Sequence, residues 1–353
     1  MGEGTGSQGV QKHALRFFEE EVVFLFHITD GCNLACNHCF INASSPAASE
    51  FSLEEAAGII ADMKKLKTSH IAISGGEPTL HKDFVQILKA AHNEGFTPDF
   101  VTNGTAITDG LAEAVRDFVR CILISVDGPE EVHDAFRGKK GAFRRTMKSI
   151  KILKDHDIPF SLQFTVTKES LPFLEWIAET ASQLGADTLK LEPLFSGGRA
   201  GRAKDIVHLC LNEKEIDELA ETVTHLYGKY LASTSVFMGI YSKKVLVEHP
   251  CNAYACFGDS CHRGAKNDPR ELIILPDGSL VPVDPCLHPA YYMGNVREKS
   301  LLQVVQDYFG SSQQLQFLEL CRRVHREKVI PYLYEAIPWS QILVDESWRN
   351  NCD

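Results

Sequence analysis

Hydrophobic and polar positions alternate along this chain between two periods. Short β-branched and aromatic runs are followed by segments whose apolar residues recur three and four apart, the strand and helix signatures. Val22-Val23-Phe24-Leu25-Phe26-His27-Ile28 predicts a first buried strand. Ser52-Leu53-Glu54-Glu55 then opens a helix with a capping serine, and Ala56, Ile59, Ile60 and Met63 form its apolar face. The same order recurs downstream. Strands are predicted at His70–Ser74, Pro98–Thr102, Cys121–Val126, Phe160–Val166 and Thr188–Glu192. Helices are predicted at Phe84–Asn93, Leu111–Phe118, Phe143–His156 and Leu174–Leu184, with a long polar helix at Glu213–Tyr230.

Strands alternating with helices imply a parallel sheet covered by helices. Six such units fall short of the eight that close a barrel. The expected fold is therefore α/β, a partial and open (β/α)6 barrel of TIM type, with a gap for a large substrate. Past about residue 245 the alternation stops, and the chain becomes rich in Cys, Gly, Pro and Asp, with short strands such as Glu271–Leu275. The expected division is a flexible tail over 1–20, the barrel over 21–240, a small cysteine-rich domain over 241–305 and a helical extension over 306–353.

Composition narrows the function classes. The chain has 353 residues, 44% hydrophobic and 24% charged, ordinary values for a globular protein with a large core. A net charge of −11 leaves no basic footprint for nucleic acid or an anionic membrane. Arg199, Arg202 and Lys204 make one short basic cluster. No stretch is apolar enough to span a bilayer, and the Gly-rich start lacks the apolar core of a signal peptide. Eleven cysteines without a secretory signal favour metal binding over disulfides and a cytoplasmic location.

The chemistry begins with Cys32, Cys36 and Cys39, in Asp30-Gly31-Cys32-Asn33-Leu34-Ala35-Cys36-Asn37-His38-Cys39-Phe40. A four-iron cubane takes four thiolates, so this loop leaves one iron open. Zinc sites instead favour paired C-x2-C knuckles with further ligands nearby, and no such pair follows. Strand ends then carry Ser74-Gly75-Gly76-Glu77-Pro78, Val101-Thr102-Asn103-Gly104 and Ile124-Ser125-Val126-Asp127-Gly128-Pro129, the last followed by His133-Asp134-Ala135-Phe136-Arg137-Gly138.

These motifs together resemble the radical S-adenosylmethionine superfamily, and the last string resembles its SPASM/twitch subgroup, many of which mature peptides. The resemblance implies a [4Fe–4S] cluster on Cys32, Cys36 and Cys39. Its open iron chelates the methionine part of S-adenosylmethionine, and one electron then yields a deoxyadenosyl radical. It implies that Gly75, Gly76, Glu77 and Pro78 bind the methionine ammonium and that Asn103 borders the cofactor. Ser125 and Asp127 become ligands of the ribose and carboxylate neighbourhood. Arg137 becomes a carboxylate or peptide partner, and His38 stands where the family packs an aromatic on adenine. Leu194 to Ala200 resembles a segment that closes the family's barrel.

A second cysteine group, Cys251, Cys256, Cys261 and Cys286, resembles the auxiliary-cluster hairpin of that subgroup. The gap from Gly278 to Cys286 is wider than usual, and the run that completes a second auxiliary cluster is missing. Four local thiolates close one cluster at least loop-closure cost. Cys321 or Cys352 replacing Cys251 or Cys256, or a structural zinc on the same four, are the alternatives. Cys121 and Cys210 read as inert thiols beside apolar runs.

The implied function is maturation of a ribosomally made peptide by hydrogen abstraction, giving a crosslink, a thioether or a related oxidation. The alternative is a small-molecule enzyme acting on a haem precursor or an amino sugar. Implied partners are a precursor peptide and an electron donor such as flavodoxin or ferredoxin. Only about twenty residues precede the first strand, too few for an independent leader-binding fold, so a standalone recognition protein or direct leader binding is expected.

Overall fold

The computed structural model describes residues 22–195, 197, 207–248 and 270–351. Strand β1 (Val22–His27) shows how the sheet is built. Val22, Phe24 and Phe26 are fully buried against the helix layer, where Phe26 meets Phe51 edge-on at 5.1 Å. Val23, Leu25 and His27 alternate to the opposite, inner face. Helix α1 (Leu53–Lys65) follows, opened by the predicted reciprocal cap between Ser52 and Glu55, and it buries Ala56, Ile59, Ile60 and Met63.

The unit repeats as β2 (His70–Ser74), α2 (Phe84–Asn93), β3 (Asp99–Thr102), α3 (Asp109–Val115) and β4 (Ile122–Ser125). It continues through α4 (Glu130–Phe136), α5 (Ala142–Asp155), β5 (Phe160–Val166), α6 (Leu174–Leu184) and β6 (Thr188–Pro193). Helix α7 (Glu213–Tyr230) and strand β7 (Ser235–Met238) follow. Strands β1 to β7 pair in chain order and in parallel. β7 adds a seventh parallel strand to the six predicted; its four residues, with Phe237 exposed, are too short and mixed to announce themselves. Helix α4 is also additional, because its seven residues hold little apolar periodicity.

After β8 (Tyr241–Ser242) and α8 (Lys243–Glu248), strand β9 (Arg270–Ile274) joins the free side of β1 in parallel. Strands β10 (Ser279–Pro282) and β11 (Gly294–Asn295) extend that edge antiparallel, giving a ten-strand sheet. Helices α9 (Leu301–Tyr308) and α10 (Ser312–Val324), strand β12 (Ala336–Ile337), paired with β8, and helix α11 (Trp339–Arg349) complete the described chain. One contiguous apolar cluster runs from Val22 through Leu272 to Val344. Asp62 of α1, nearly buried, accepts the backbone N–H of Leu302 at 3.2 Å and so caps the start of α9.

The strand ends that face the cysteine loop are held by backbone contact. Gly76 N donates to Thr29 O and Glu77 N to Gly31 O, each at 2.8 Å. A Cβ on Gly76 would stand 2.3 Å from the Gly31 carbonyl oxygen. Gly75 has φ +142°, and a Cβ there would stand 2.3 Å from Thr29 O. The Gly76→Ala chain must open this seam, with an expected loss of more than about 2 kcal/mol. Gly58→Ala, in the open interior of α1 with nothing within 4 Å of the added carbon, should instead gain about 0.5–1 kcal/mol. Urea unfolding of the two variants checks this; a Gly76→Ala midpoint equal to wild type would show that the seam is not tight.

Candidate cluster and cofactor site

The loop from β1 to α1 is pinned at several points. The Asp30 carboxylate accepts from Ala48 N at 2.8 Å and Ser49 N at 3.0 Å. Cys32 N donates to Ser44 O at 2.8 Å. Cys32, Cys36 and Cys39 gather against Leu34 and Ala142, with Cys36 only 8% exposed. N–H groups converge on the sulfurs: Leu34 N on Cys32 at 3.4 Å, Ala43 N on Cys39 at 3.3 Å, and the Arg137 guanidinium on Cys36 at 3.9 Å. Burial pushes the Cys32 thiol up to about 11, opposed by the Leu34 N–H and reinforced by the charges of Glu77, Cys36 and Cys39. Burial also raises Cys36, with Arg137 opposing. Three clustered thiols of this kind give up their protons to a soft metal centre. Among the described residues no three His, Cys, Asp or Glu are arranged around a single metal ion. The all-sulfur donor set with its N–H cradle fits a polynuclear iron–sulfur cluster.

Strand ends β2 to β4 surround this loop. Glu77, fully buried, accepts from Thr102 Oγ1 at 2.7 Å, Asn103 N at 2.7 Å and Thr79 Oγ1 at 2.5 Å. Burial raises its carboxyl above the ordinary value, and these donors counter the rise. Glu77 thus ties the end of β2 to the end of β3, and Pro78 starts a short 3-10 turn behind it. Asn103 reaches the loop itself, donating to Asn33 Oδ1 at 3.0 Å with Cys32 Sγ at 3.8 Å. Asn33 donates back to Thr105 Oγ1 at 2.9 Å. Thr102, Asn33 and Thr105 were missed by sequence reasoning, because only the folded strand order brings them together.

At the end of β4, Ser125 is nearly buried, and just past it the structure pairs two predicted residues with each other. Arg137 Nε donates to Asp127 Oδ2 at 2.5 Å, and Thr165 N donates to Asp127 Oδ1 at 2.9 Å. Burial would raise Asp127, but the Arg137 guanidinium first, then His38, His133 and the Thr165 N–H, hold it below the usual range. His133, pushed down to about 4 by burial, accepts from Asp127 N through Nδ1 at 3.1 Å; it too escaped the sequence reading. The His38 ring stacks on Phe136 at 3.9 Å and 9°, forming a flat aromatic face beside the thiols.

Of the second cysteine group, Cys251, Cys256 and Cys261 lie outside the described residues, as do Arg199, Arg202, Lys204 and Cys352. Cys286 is half-buried on the barrel side. Its backbone is held by Asp284 Oδ1 at 2.8 Å and Trp348 Nε1 at 2.9 Å, and its sulfur stands 3.9 Å from Phe40 O. A Cβ on Gly197 would stand 2.4 Å from that sulfur, so part of the Leu194–Ala200 segment touches it. Cys321 is fully buried in the apolar core on α10. Cys121 lies 3.3 Å from Ser161 Oγ, and Cys210 packs beside Leu194. Among the described residues no helix is long and apolar enough to cross a membrane.

The Asp127–Arg137 pair gives a pH test. In the wild type, Asp127 titrates below its unfolded value, so its stabilisation holds above about pH 4 and fades only as the pH falls further. Arg137→Met strands a buried carboxylate, with an expected cost of about 3–5 kcal/mol. Burial then raises Asp127 above its unfolded value, so the variant loses further stability as pH rises from about 4 towards 7. Urea unfolding at pH 5 and pH 7.5 should show the gap to wild type widening at the higher pH; a gap independent of pH would mean that Asp127 is not held by Arg137.

Comparison with known proteins places this geometry. Residues 26–171 match the model of the radical SAM superfamily. The AdoMet-dependent heme synthase of Oleidesulfovibrio alaskensis is 34% identical over 50% of this chain and 46% of its own length. The chain spans about half the length of the heme synthases it matches. The PqqA peptide cyclase of Rhizobium meliloti is 27% identical over 87% of this chain and 80% of that protein. The crystal structure of Streptococcus suis SuiB bound to S-adenosylmethionine superposes with a TM-score of 0.65, covering 89% of this chain and 72% of that one. Its identity of 16% makes that a likeness of fold, an α/β parallel sheet. Residues 26–171, with their three-cysteine loop at the end of the first strand, are thus similar to the radical SAM superfamily.

Proposed function

We propose that the chain cleaves S-adenosylmethionine reductively and uses the product to take a hydrogen atom from a ribosomally made peptide. The observation that carries this reading is the convergence of three thiols, ringed by N–H donors, on the polar ends of β2, β3 and β4. A [4Fe–4S] cluster on Cys32, Cys36 and Cys39 would supply the reducing electron and an open iron for the methionine part. The chain's own residues bind and orient. The Gly75–Gly76 seam holds the loop against β2, and Glu77 locks β2 to β3. Asn103 and Asn33 fix the edge next to Cys32. Ser125 and the Asp127–Arg137 pair line the next strand end, and the His38–Phe136 stack offers a flat face to adenine. A reducing partner of flavodoxin or ferredoxin type would supply the electron.

Support for a peptide comes from relatives named for peptide chemistry. They include the PqqA cyclase and the subtilosin biosynthesis protein AlbA of Bacillus subtilis. The heme synthases carry a second reading, a tetrapyrrole substrate. In either case Cys251, Cys256, Cys261 and Cys286 would hold an auxiliary four-iron centre in a SPASM/twitch-like unit.

Anaerobically reconstituted wild type should bind about eight irons and the Cys32/Cys36/Cys39→Ala chain about four, since each cubane holds four. The same variant should make no 5'-deoxyadenosine with dithionite and S-adenosylmethionine. Undiminished cleavage by the variant would sink the assignment; zinc in place of its remaining iron would make the C-terminal group a structural zinc site.

A further inference from the structure

The inner face of the barrel carries charges that the cluster site does not use. Lys190 and Glu192 of β6 alternate inward, opposite the buried Leu189 and Leu191, and form an ion pair. Across the barrel gap, Glu271 of β9 pairs in register with Val23 of β1, on the same inner face as Leu25 and His27. Lys190, Glu192 and Glu271 interact with one another, and Asp284 adds a third carboxylate from the loop after β10. Two carboxylates therefore face one ammonium, and Asp284 adds like charge to both of them. Glu271 keeps solvent access, and Lys190 and Glu192 are the charged groups that act on it. Gly239, after β7, gives the Glu192 carboxylate room; a Cβ there would stand 3.2 Å from its Oε1.

A second observation is independent of this charge. His27 is 0% exposed, yet neither ring nitrogen has a hydrogen-bond partner. Burial pushes its pKa down to about 4, so at neutral pH the ring is uncharged, with one donor and one acceptor unused. A buried polar group left unpaired is costly and calls for a partner. Its ring meets Phe40 of the cysteine loop edge-on at 5.7 Å, which sets it directly under that loop. Glu271 lies level with Val23, four residues and so about 13 Å further down the strand. An occupant touching both is extended and polar, with positive charge at its deep end.

We propose that this inner face receives a lysine or arginine side chain of the substrate peptide, its cation set between Glu192 and Glu271 and a backbone amide hydrogen-bonded to His27. The inference rests on the peptide reading above. A polycarboxylate tetrapyrrole would meet like charge at the same place.

The test uses the full chain, reconstituted anaerobically and immobilised, with a displayed library of random twelve-residue peptides as the probe. Selected peptides should be enriched about tenfold in Lys or Arg at one position, and the Glu192→Gln/Glu271→Gln chain should lose that enrichment. A selected peptide and its norleucine analogue, titrated against wild type, should differ in Kd by about tenfold without recourse to any variant. His27→Phe should weaken both peptides by a similar factor; unchanged affinity would remove His27 from the site. Peptides selected without a cation overturn the charge assignment and leave the peptide reading standing. No selected peptide at all overturns both.

Discussion

The backbone approach of Gly75 and Gly76 to Thr29 and Gly31 is the constraint on which the site depends. With side chains absent at both positions, the end of β2 lies directly on the start of the cysteine loop and hydrogen-bonds to it. Everything beside the thiols is positioned from there. Glu77, next in sequence, is drawn into the interior and reaches β3. Asn103, at the end of β3, reaches back to Asn33 and Cys32. A loop moved outward by one methyl group would loosen all of these contacts together.

Electrostatics completes what packing begins. Buried thiols, a buried Glu77 and a buried Asp127 are all costly unless cations or N–H donors meet them. Arg137 serves two of these groups at once, pairing with Asp127 while its guanidinium stands 3.9 Å from Cys36 Sγ. The end of β4 is thereby coupled to the metal loop through a single side chain. The remaining demand for positive charge at Cys32, Cys36 and Cys39 is what a metal cluster would satisfy. Further down the barrel, Glu192 and Glu271 leave an analogous demand that a substrate cation would satisfy.

Much of this was legible in the sequence, and the limits have physical causes. Strands β1 to β6 are buried on the helix side, so their apolar runs are dense and their positions follow from periodicity. The cysteine loop and the Gly-Gly-Glu turn are local motifs, legible because their spacing is their chemistry. β7 was hidden by its length, and α4 by its weak apolar face. The pairing of β9 with β1 joins residues some 250 apart in sequence, for which no local pattern speaks. The Glu77–Thr102–Asn103 lock and the Asp127–Arg137 pair were visible as residues, but not as partners. Lys190, Glu192 and Glu271 read as ordinary polar positions on half-buried strands until the sheet curls and turns them toward one interior.

The central claim is that Cys32, Cys36 and Cys39 hold a cluster with one iron left open to S-adenosylmethionine. The most direct test is electron–nuclear double resonance on the reduced, reconstituted chain with S-adenosylmethionine isotopically labelled at the methionine nitrogen and carboxylate oxygen. The account predicts hyperfine coupling from both labels to the cluster, lost in the Cys32/Cys36/Cys39→Ala chain. A wild-type cluster signal that shows no coupling to either label would contradict it.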